Sequence, residues 1–325
     1  AVLLHAMLTS AGFRPEFVIA SWVSEEKEYQ KPLLDYPSMH WLAEVLVRVK
    51  HGRGYIYLND SDQYAEPGTT RFAGRQGLML NTGRFETIEP LTPDRKDRTD
   101  TEIKLDVSAD GSVAMKEKRT YFGMNYAAFR KQFSEMPPEE RKRYYEEKVS
   151  SISQSALPDG DYLTSYDSYP GQESLSVRIP GYAVVQGDYL YIRVPGLMGN
   201  LDGVSSDSRK NPLYQAFSRR GKITVQVTLP ENMESFENLP AENLNIVMGE
   251  TGAVRMKSHT VDNPEAKGNK ILVITQDVDI EPLTTTQSNY PKILSSHRIL
   301  SHPKTGLVVI RLKDKNGGKI IQENR

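Results

Sequence analysis

The chain has 325 residues, which is enough for two or three domains with hydrophobic cores of their own. Its 41 basic and 42 acidic residues give a formal charge of −1, so nothing in the charge balance attracts nucleic acid or an anionic membrane. It contains no cysteine for a disulfide and no run of apolar residues long enough to span a bilayer.

The first predicted elements are a helix over residues 1–12 and a short strand. Four apolar residues recur at helical spacing: Leu3, Leu4, Met7 and Leu8. Gly12 follows where a C-terminal cap belongs. Residues 17–20 are uniformly apolar and predict a buried strand.

A hairpin with a histidine near its open end comes next. Residues 39–49 alternate between two sets of side chains, as in a strand with one buried face, and residues 55–60 return as its partner. The open end of such a hairpin brings His40 near Asp60 or Asp62. A carboxylate beside an imidazole fixes its tautomer and stabilises the imidazolium, so this pair would form two thirds of a nucleophilic triad.

The register of the hairpin decides which aspartate is nearer. The predicted loop 50–54 contains two glycines and makes paired residue numbers sum to about 104. On that register His40 faces Tyr64, and Asp62 is a nearer diagonal neighbour than Asp60. A bulge or a longer loop would restore Asp60.

The order of these elements resembles a known family. The run 1–8 (AVLLHAML), the run 40–45 (HWLAEV) and the segment 58–60 (LND) are similar to the transglutaminase-like superfamily of papain-like thiol enzymes. Residues 64–69 (YAEPGT) also look like bacterial members with β-rich accessory domains. The resemblance covers residues 1–90. It implies an α+β fold that begins with the C-terminal portion of a papain-like domain.

The same resemblance implies roles for the site residues. His40 would act as general base and then acid, and Asp60 would orient it, with Asp62 as second choice. The family cysteine would lie one helical turn before Ala1, so we expect the chain to come from a longer protein and to begin just after that cysteine. The alternative is a pseudoenzyme that has lost its thiol, because Ser10 stands at the wrong end of the helix to replace it.

The chemistry implied is attack by a thiolate on an amide carbonyl. The histidine and the helix N-terminus lower the thiol pKa, and the acyl-enzyme then passes to water or to an amine. The resemblance favours a cysteine peptidase over a cross-linking enzyme, acting on a protein or peptide substrate in an exported protein. The chain alone would be inactive.

Other polar residues suggest no cofactor. His259, His297 and His302 are scattered without metal-ligand spacing, and residues 200–203 lack the pattern of a calcium loop. We interpret Trp41 as a core residue and expect Glu44 to be solvated or ion-paired.

Two further domains are predicted after residue 90. Residues 91–205 form a β-rich domain with a hairpin at 101–121 and helices at 125–136 and 137–153, followed by strands between 162 and 194.

Residues 206–325 are predicted to form a β-sandwich accessory domain. Alternating runs separated by turn residues predict its strands: 221–229, 244–248, 253–258, 270–277 and 307–312. Residues 290–294 fit a helical turn or an extended link, and residues 313–325 fit a last hairpin or a frayed tail.

Two classes of function remain open. One is a transglutaminase-like thiol peptidase or amide transferase. The other is a non-catalytic binding or structural protein on a degenerate scaffold of that fold, and β domains that bind a cell-surface glycan are a third possibility. The residue one helical turn before Ala1 distinguishes enzyme from scaffold.

Overall fold

The structure is a computed structural model. It describes residues 1–59, 61–205, 207–215, 218–240, 243–248, 252–264 and 270–313. The described chain is β-rich, with five α-helices among its strands. Within it, no helix is both long enough and apolar enough to cross a bilayer.

The N-terminal unit is one antiparallel five-stranded sheet with two helices. Its elements are α1 (Val2–Ser10), β1 (Glu16–Ser21), α2 (Lys27–Asp35), β2 (Leu42–His51), β3 (Gly54–Leu58), β4 (Gln76–Met79) and β5 (Arg84–Thr87). The strand order is β3-β2-β1-β4-β5. Its core consists of Val18, Ala20, Leu46, Phe72, Met79 and Ile88.

The predicted first helix is confirmed, but its apolar stripe is only partly packed: Leu4 and Leu8 are half-buried, whereas Leu3 and Met7 are exposed. Gly12 has a φ of +86°, and its amide donates to the carbonyl of Thr9, as expected of a glycine that ends a helix. His5 stacks on Phe17 with ring centroids 4.4 Å apart. Leu3 is 74% exposed.

The predicted hairpin is confirmed, but its register is shifted by one. β2 continues to His51 and β3 begins at Gly54, so only two residues form the turn and paired numbers sum to 105, as in Val47 opposite Leu58. That pair is also the last of the ladder. The predicted pairing of His40 with Tyr64 is therefore wrong.

The remaining described residues form three more sheets. Their strands are β6 (Arg98–Val107), β7 (Val113–Phe122), β8 (Leu157–Pro158), β9 (Leu163–Ser165), β10 (Gly171–Ile179), β11 (Val184–Gln186), β12 (Tyr189–Arg193), β13 (Leu213–Gln215), β14 (Arg219–Thr228), β15 (Met233–Asn238), β16 (Asn243–Val247), β17 (Gly252–Asp262), β18 (Lys270–Ile280), β19 (Leu283–Thr285) and β20 (Leu307–Leu312). Nine of them form one sheet in the order β16-β17-β18-β14-β6-β7-β10-β8, with β9 also paired to β10.

A four-stranded sheet, β11-β12-β20-β15, packs on the nine-stranded sheet. The shared core contains Leu105, Val177 and Ile274 from the large sheet and Leu190 and Ile310 from the small one, all 4% exposed or less. β6 and β14 are parallel neighbours, so strands from both sides of the predicted boundary at 205/206 lie in one sheet. That boundary does not separate two sheets.

Two predicted helices, α3 (Gly123–Glu135) and α4 (Pro138–Ile152), lie against the large sheet. The carboxylate of Glu173 on β10 is almost completely buried, and it accepts hydrogen bonds from Lys148 on α4, Tyr121 on β7 and Tyr162. This network fixes α4 to the sheet.

The segment predicted as a helical turn or a link is a helix, α5 (Tyr290–Ser301). It covers a second core beside the first, which includes Met198, Val278 and Ile293. The fully buried amide of Gln276 accepts from the Met198 N–H at 2.6 Å and donates to the Met198 carbonyl, which fastens the segment that crosses the sheet. The predicted tail beyond Lys313 lies outside the described residues.

Candidate functional site

His40 lies on a 3₁₀ turn, Met39–Trp41, immediately before β2. The hydroxyl of Ser38 accepts the His40 N–H at 3.3 Å and caps this turn, so the strand begins only at Leu42. The expectation that His40 opens the strand is therefore wrong: the strand begins two residues later, and His40 belongs to the turn before it. Its side chain is exposed.

Three hydrogen bonds from the end of β1 hold the turn. The indole Nε1–H of Trp22 donates to the His40 carbonyl at 2.6 Å. The Trp22 N–H and the Ser21 hydroxyl both donate to the Trp41 carbonyl. The imidazole itself has no hydrogen-bond partner among the described residues, so it faces solvent on a firmly held backbone.

The two predicted aspartates have different outcomes. Asp60 lies outside the described residues. Asp62 pairs with Arg71, with 3.5 Å between Oδ1 and Nη1, and no hydrogen bond joins it to His40 in the described part of the chain. Burial, with a contribution from Glu44, raises the pKa of Asp62 against the opposing charge of Arg71.

Arg71, which the sequence analysis missed, joins a polar cluster beyond the end of β3. Glu44 accepts hydrogen bonds from Asn59 at 2.6 Å, from Ser61 at 2.8 Å and from Arg71. Burial acts to raise the pKa of Glu44, but these hydrogen bonds and the Arg71 charge lower it overall. The expectation of an ion-paired Glu44 is confirmed, and the cluster organises the segment that contains Asp62.

A cleft of about 1490 Å³ lies between the N-terminal unit and the nine-stranded sheet. Trp22, Trp41 and Tyr29 line it on the side of the N-terminal unit. Tyr214 of β13 lines the facing side and contacts Tyr29, with ring centroids 4.9 Å apart. Trp41, predicted to be a core residue, is half-buried and forms part of the wall.

Gln30 and Gly74 shape the floor of the cleft. The buried amide of Gln30 donates to the carbonyls of Ser24 and Gly74, at 3.2 and 2.8 Å. Gly74 has a φ of +79°, and a Cβ there would lie 2.3 Å from Oε2 of Glu25, so only glycine allows this close approach. Burial, followed by the nearby Glu281 charge, raises the pKa of Glu25.

Among the described residues, no group of three or more His, Asp or Glu side chains could hold a metal ion. The candidate site therefore has three separate parts: the exposed His40 imidazole, the carboxylates at the end of the hairpin, and a large cleft whose wall includes the neighbours of His40, Trp22 and Trp41. Such a combination suits acid–base or nucleophilic chemistry on an extended ligand.

Comparisons with known proteins add one distant likeness. No protein-family model matches the chain, and no curated protein matches it. A crystal structure of a putative protease from Parabacteroides distasonis ATCC 8503 aligns with a TM-score of 0.48 at 15% identity, over 95% of this chain and 42% of that one. The chain thus spans less than half the length of that protein, and we carry no residue role over from it.

Proposed function

We propose that the chain supplies the histidine and aspartate of a transglutaminase-like thiol enzyme that acts on amide bonds of proteins or peptides. The observation that carries the proposal is the exposed His40 imidazole, whose backbone carbonyl accepts a hydrogen bond from Trp22, a residue that lines a large cleft. The cysteine would precede Ala1 by about one helical turn. We further propose that the intact protein is exported.

In this proposal His40 removes the thiol proton and the thiolate attacks the substrate carbonyl, which forms a new C–S bond. The imidazolium then returns its proton to the leaving amine as the C–N bond breaks. Water, or a second amine, then attacks the acyl carbon with His40 again as base, the C–S bond breaks, and the imidazolium returns the proton to the released thiolate. Asp60 orients the imidazole, with Asp62 as the second candidate.

The cleft supports an extended substrate. At about 1490 Å³ it exceeds the roughly 300–1,000 Å³ of a small-molecule pocket. Its facing wall is formed by strands of the nine-stranded sheet together with Tyr214 of β13 and residues 196–200, so the β-rich part of the chain would position the substrate against the side of Trp22 and Trp41. A peptide segment fits this shape better than a small metabolite.

The experiment is a comparison of variants of the intact source protein. His40→Ala should lower hydrolysis of a fluorogenic peptide by about 10²- to 10⁴-fold, because the general base is lost. His51→Ala is the matched control, since that exposed histidine lies at the hairpin turn, and it should retain full activity. A parallel assay of fluorescent-amine incorporation separates hydrolysis from transfer.

The aspartates are compared in the same assay. Asp60→Asn should reduce the rate by more than Asp62→Asn does, and the reverse order would identify Asp62 as the orienting group. Equal activity of His40→Ala and wild type, or a residue other than cysteine one turn before Ala1, would contradict the proposed thiol-enzyme function. It would leave the non-catalytic binding scaffold.

A further inference from the structure

The cleft carries aromatic side chains that suit a ligand with a long apolar stem. Trp22 is 53% exposed, and its ring lies 5.5 Å from that of Trp41. Both rings line the cleft, and they are the two tryptophans of the whole chain. Aromatic faces pack against aliphatic stems and attract cations, most strongly in the case of tryptophan.

The same cleft contains an acid without a partner. The carboxylate of Glu25 is partly buried against Gly74, and it has neither a hydrogen bond nor an ion pair among the described residues. A carboxylate that has lost part of its hydration and gained no partner is destabilised in its charged form, which is why its pKa is raised. A cationic ligand would restore the lost interactions.

The charges around Glu25 favour a cation as well. Arg220 and Arg75 are the nearby positive groups, but Arg220 is already paired with both Glu281 and Asp279. Arg75 donates to the Trp22 carbonyl at 3.4 Å. Asp97 adds a further negative charge. Close to Glu25, three acids (Glu25, Glu281 and Asp97) therefore face these two arginines, while the lining of the whole cleft contains five acidic and five basic residues.

We propose that the cleft binds a peptide segment bearing a primary ammonium group, with the ammonium on Glu25 and its methylene stem along Trp22 and Trp41. A lysine side chain has this chemistry. The proposal rests on the proposed function, because it takes the cleft as the peptide site. It goes beyond that function by stating that the cleft selects a positively charged residue of the peptide.

Because both tryptophans line the cleft, intrinsic fluorescence reports its occupancy without catalysis. Acetyl-Gly-Lys-Gly-amide and the isosteric norleucine peptide, which lacks the ammonium, are titrated into the protein. We expect the lysine peptide to bind at least about tenfold more tightly, since one charge-assisted contact is gained. Glu25→Gln should abolish that preference, and Glu25→Asp should retain part of it.

Glu28→Gln is the matched control, because Glu28 lies three residues after Glu25 in the first turn of α2, is exposed and is not part of the cleft wall, and it should leave the preference intact. Equal affinities for the two peptides, a preference that survives Glu25→Gln, or no fluorescence change with either peptide would overturn the proposal. Each of these results leaves the His40 rate comparison untouched, so failure of the charge preference and failure of the thiol enzyme are distinguishable.

Discussion

The indole N–H of Trp22 donates a 2.6 Å hydrogen bond to the backbone carbonyl of His40. The bond links the end of β1 to the turn before β2, across 18 residues of sequence. It holds the position of the His40 backbone while leaving the imidazole exposed. Trp22, which lines the cleft, therefore fixes the backbone position of the proposed general base.

Trp22→Phe tests the role of this hydrogen bond. It keeps an aromatic ring and removes the donor, so the turn should open more often. We expect hydrogen exchange at the Trp41 and Leu42 amides to accelerate about 2- to 10-fold, the range for loss of one hydrogen bond. The control is Trp41→Phe, which keeps the Trp22–His40 bond, and equal acceleration in both variants would contradict a specific role for it.

The buried ion pair between Lys148 and Glu173 should be important for stability. Lys148→Met leaves a nearly inaccessible carboxylate without its cation, and we expect a loss of about 3–5 kcal/mol in the free energy of unfolding. Lys142→Met, on the same helix with an exposed partner, should cost less than about 0.5 kcal/mol. Urea denaturation measures both, and similar losses would argue against the buried network.

The same network predicts a dependence on pH. Burial acts to raise the pKa of Glu173, but the Lys148 charge and three hydrogen bonds lower it below the ordinary value of 4.5. A carboxyl with a lowered folded pKa contributes stability above its unfolded pKa and loses it as pH falls through the folded value.

The stability difference between wild type and Glu173→Gln should therefore be constant above about pH 5 and narrow below 4.5. Groups whose pKa values are raised, such as Glu25, cancel because both proteins contain them. Unfolding curves at a series of pH values provide the measurement. If the stability difference between the two proteins stayed unchanged down to the pH of acid unfolding, the lowered pKa of Glu173 would be contradicted.

Arg48 in the N-terminal sheet provides a third test of stability. Its guanidinium, 3% exposed, pairs with Glu16 at 2.6 Å and Glu86 at 2.8 Å and lies over the Tyr55 ring. Lysine keeps the charge but cannot serve both carboxylates and the ring, so Arg48→Lys should cost about 1–3 kcal/mol. Thermal unfolding measures this loss. Arg53→Lys at the exposed turn is the control and should leave the free energy of unfolding unchanged.

Local patterns predicted the first helix, the hairpin and the two helices α3 and α4, because each is set by periodicity and turn residues close in sequence. They misplaced His40, because the Ser38 side chain caps a 3₁₀ turn that contains His40 and the strand begins only after it. They also missed the one-residue shift of register, which depends on a turn of two residues instead of five.

The larger sheet and the cleft lay beyond local patterns. β6 pairs in parallel with β14, more than 100 residues later, and no periodicity within either strand specifies that partner. Arg71 reaches Glu44 and Tyr29 meets Tyr214 only after the chain has folded. The sequence therefore identified a candidate base, and the structure added a cleft whose wall includes the two tryptophans next to it, Trp22 and Trp41.

The most direct test of the central claim is the rate of iodoacetamide labelling of the intact source protein at neutral pH, followed by peptide mapping. We predict selective alkylation of one cysteine just before Ala1, with a rate well above that of a free thiol and reduced by His40→Ala but not by His51→Ala. A cysteine that labels no faster than a free thiol, with or without His40, or no cysteine at that position, would contradict the account.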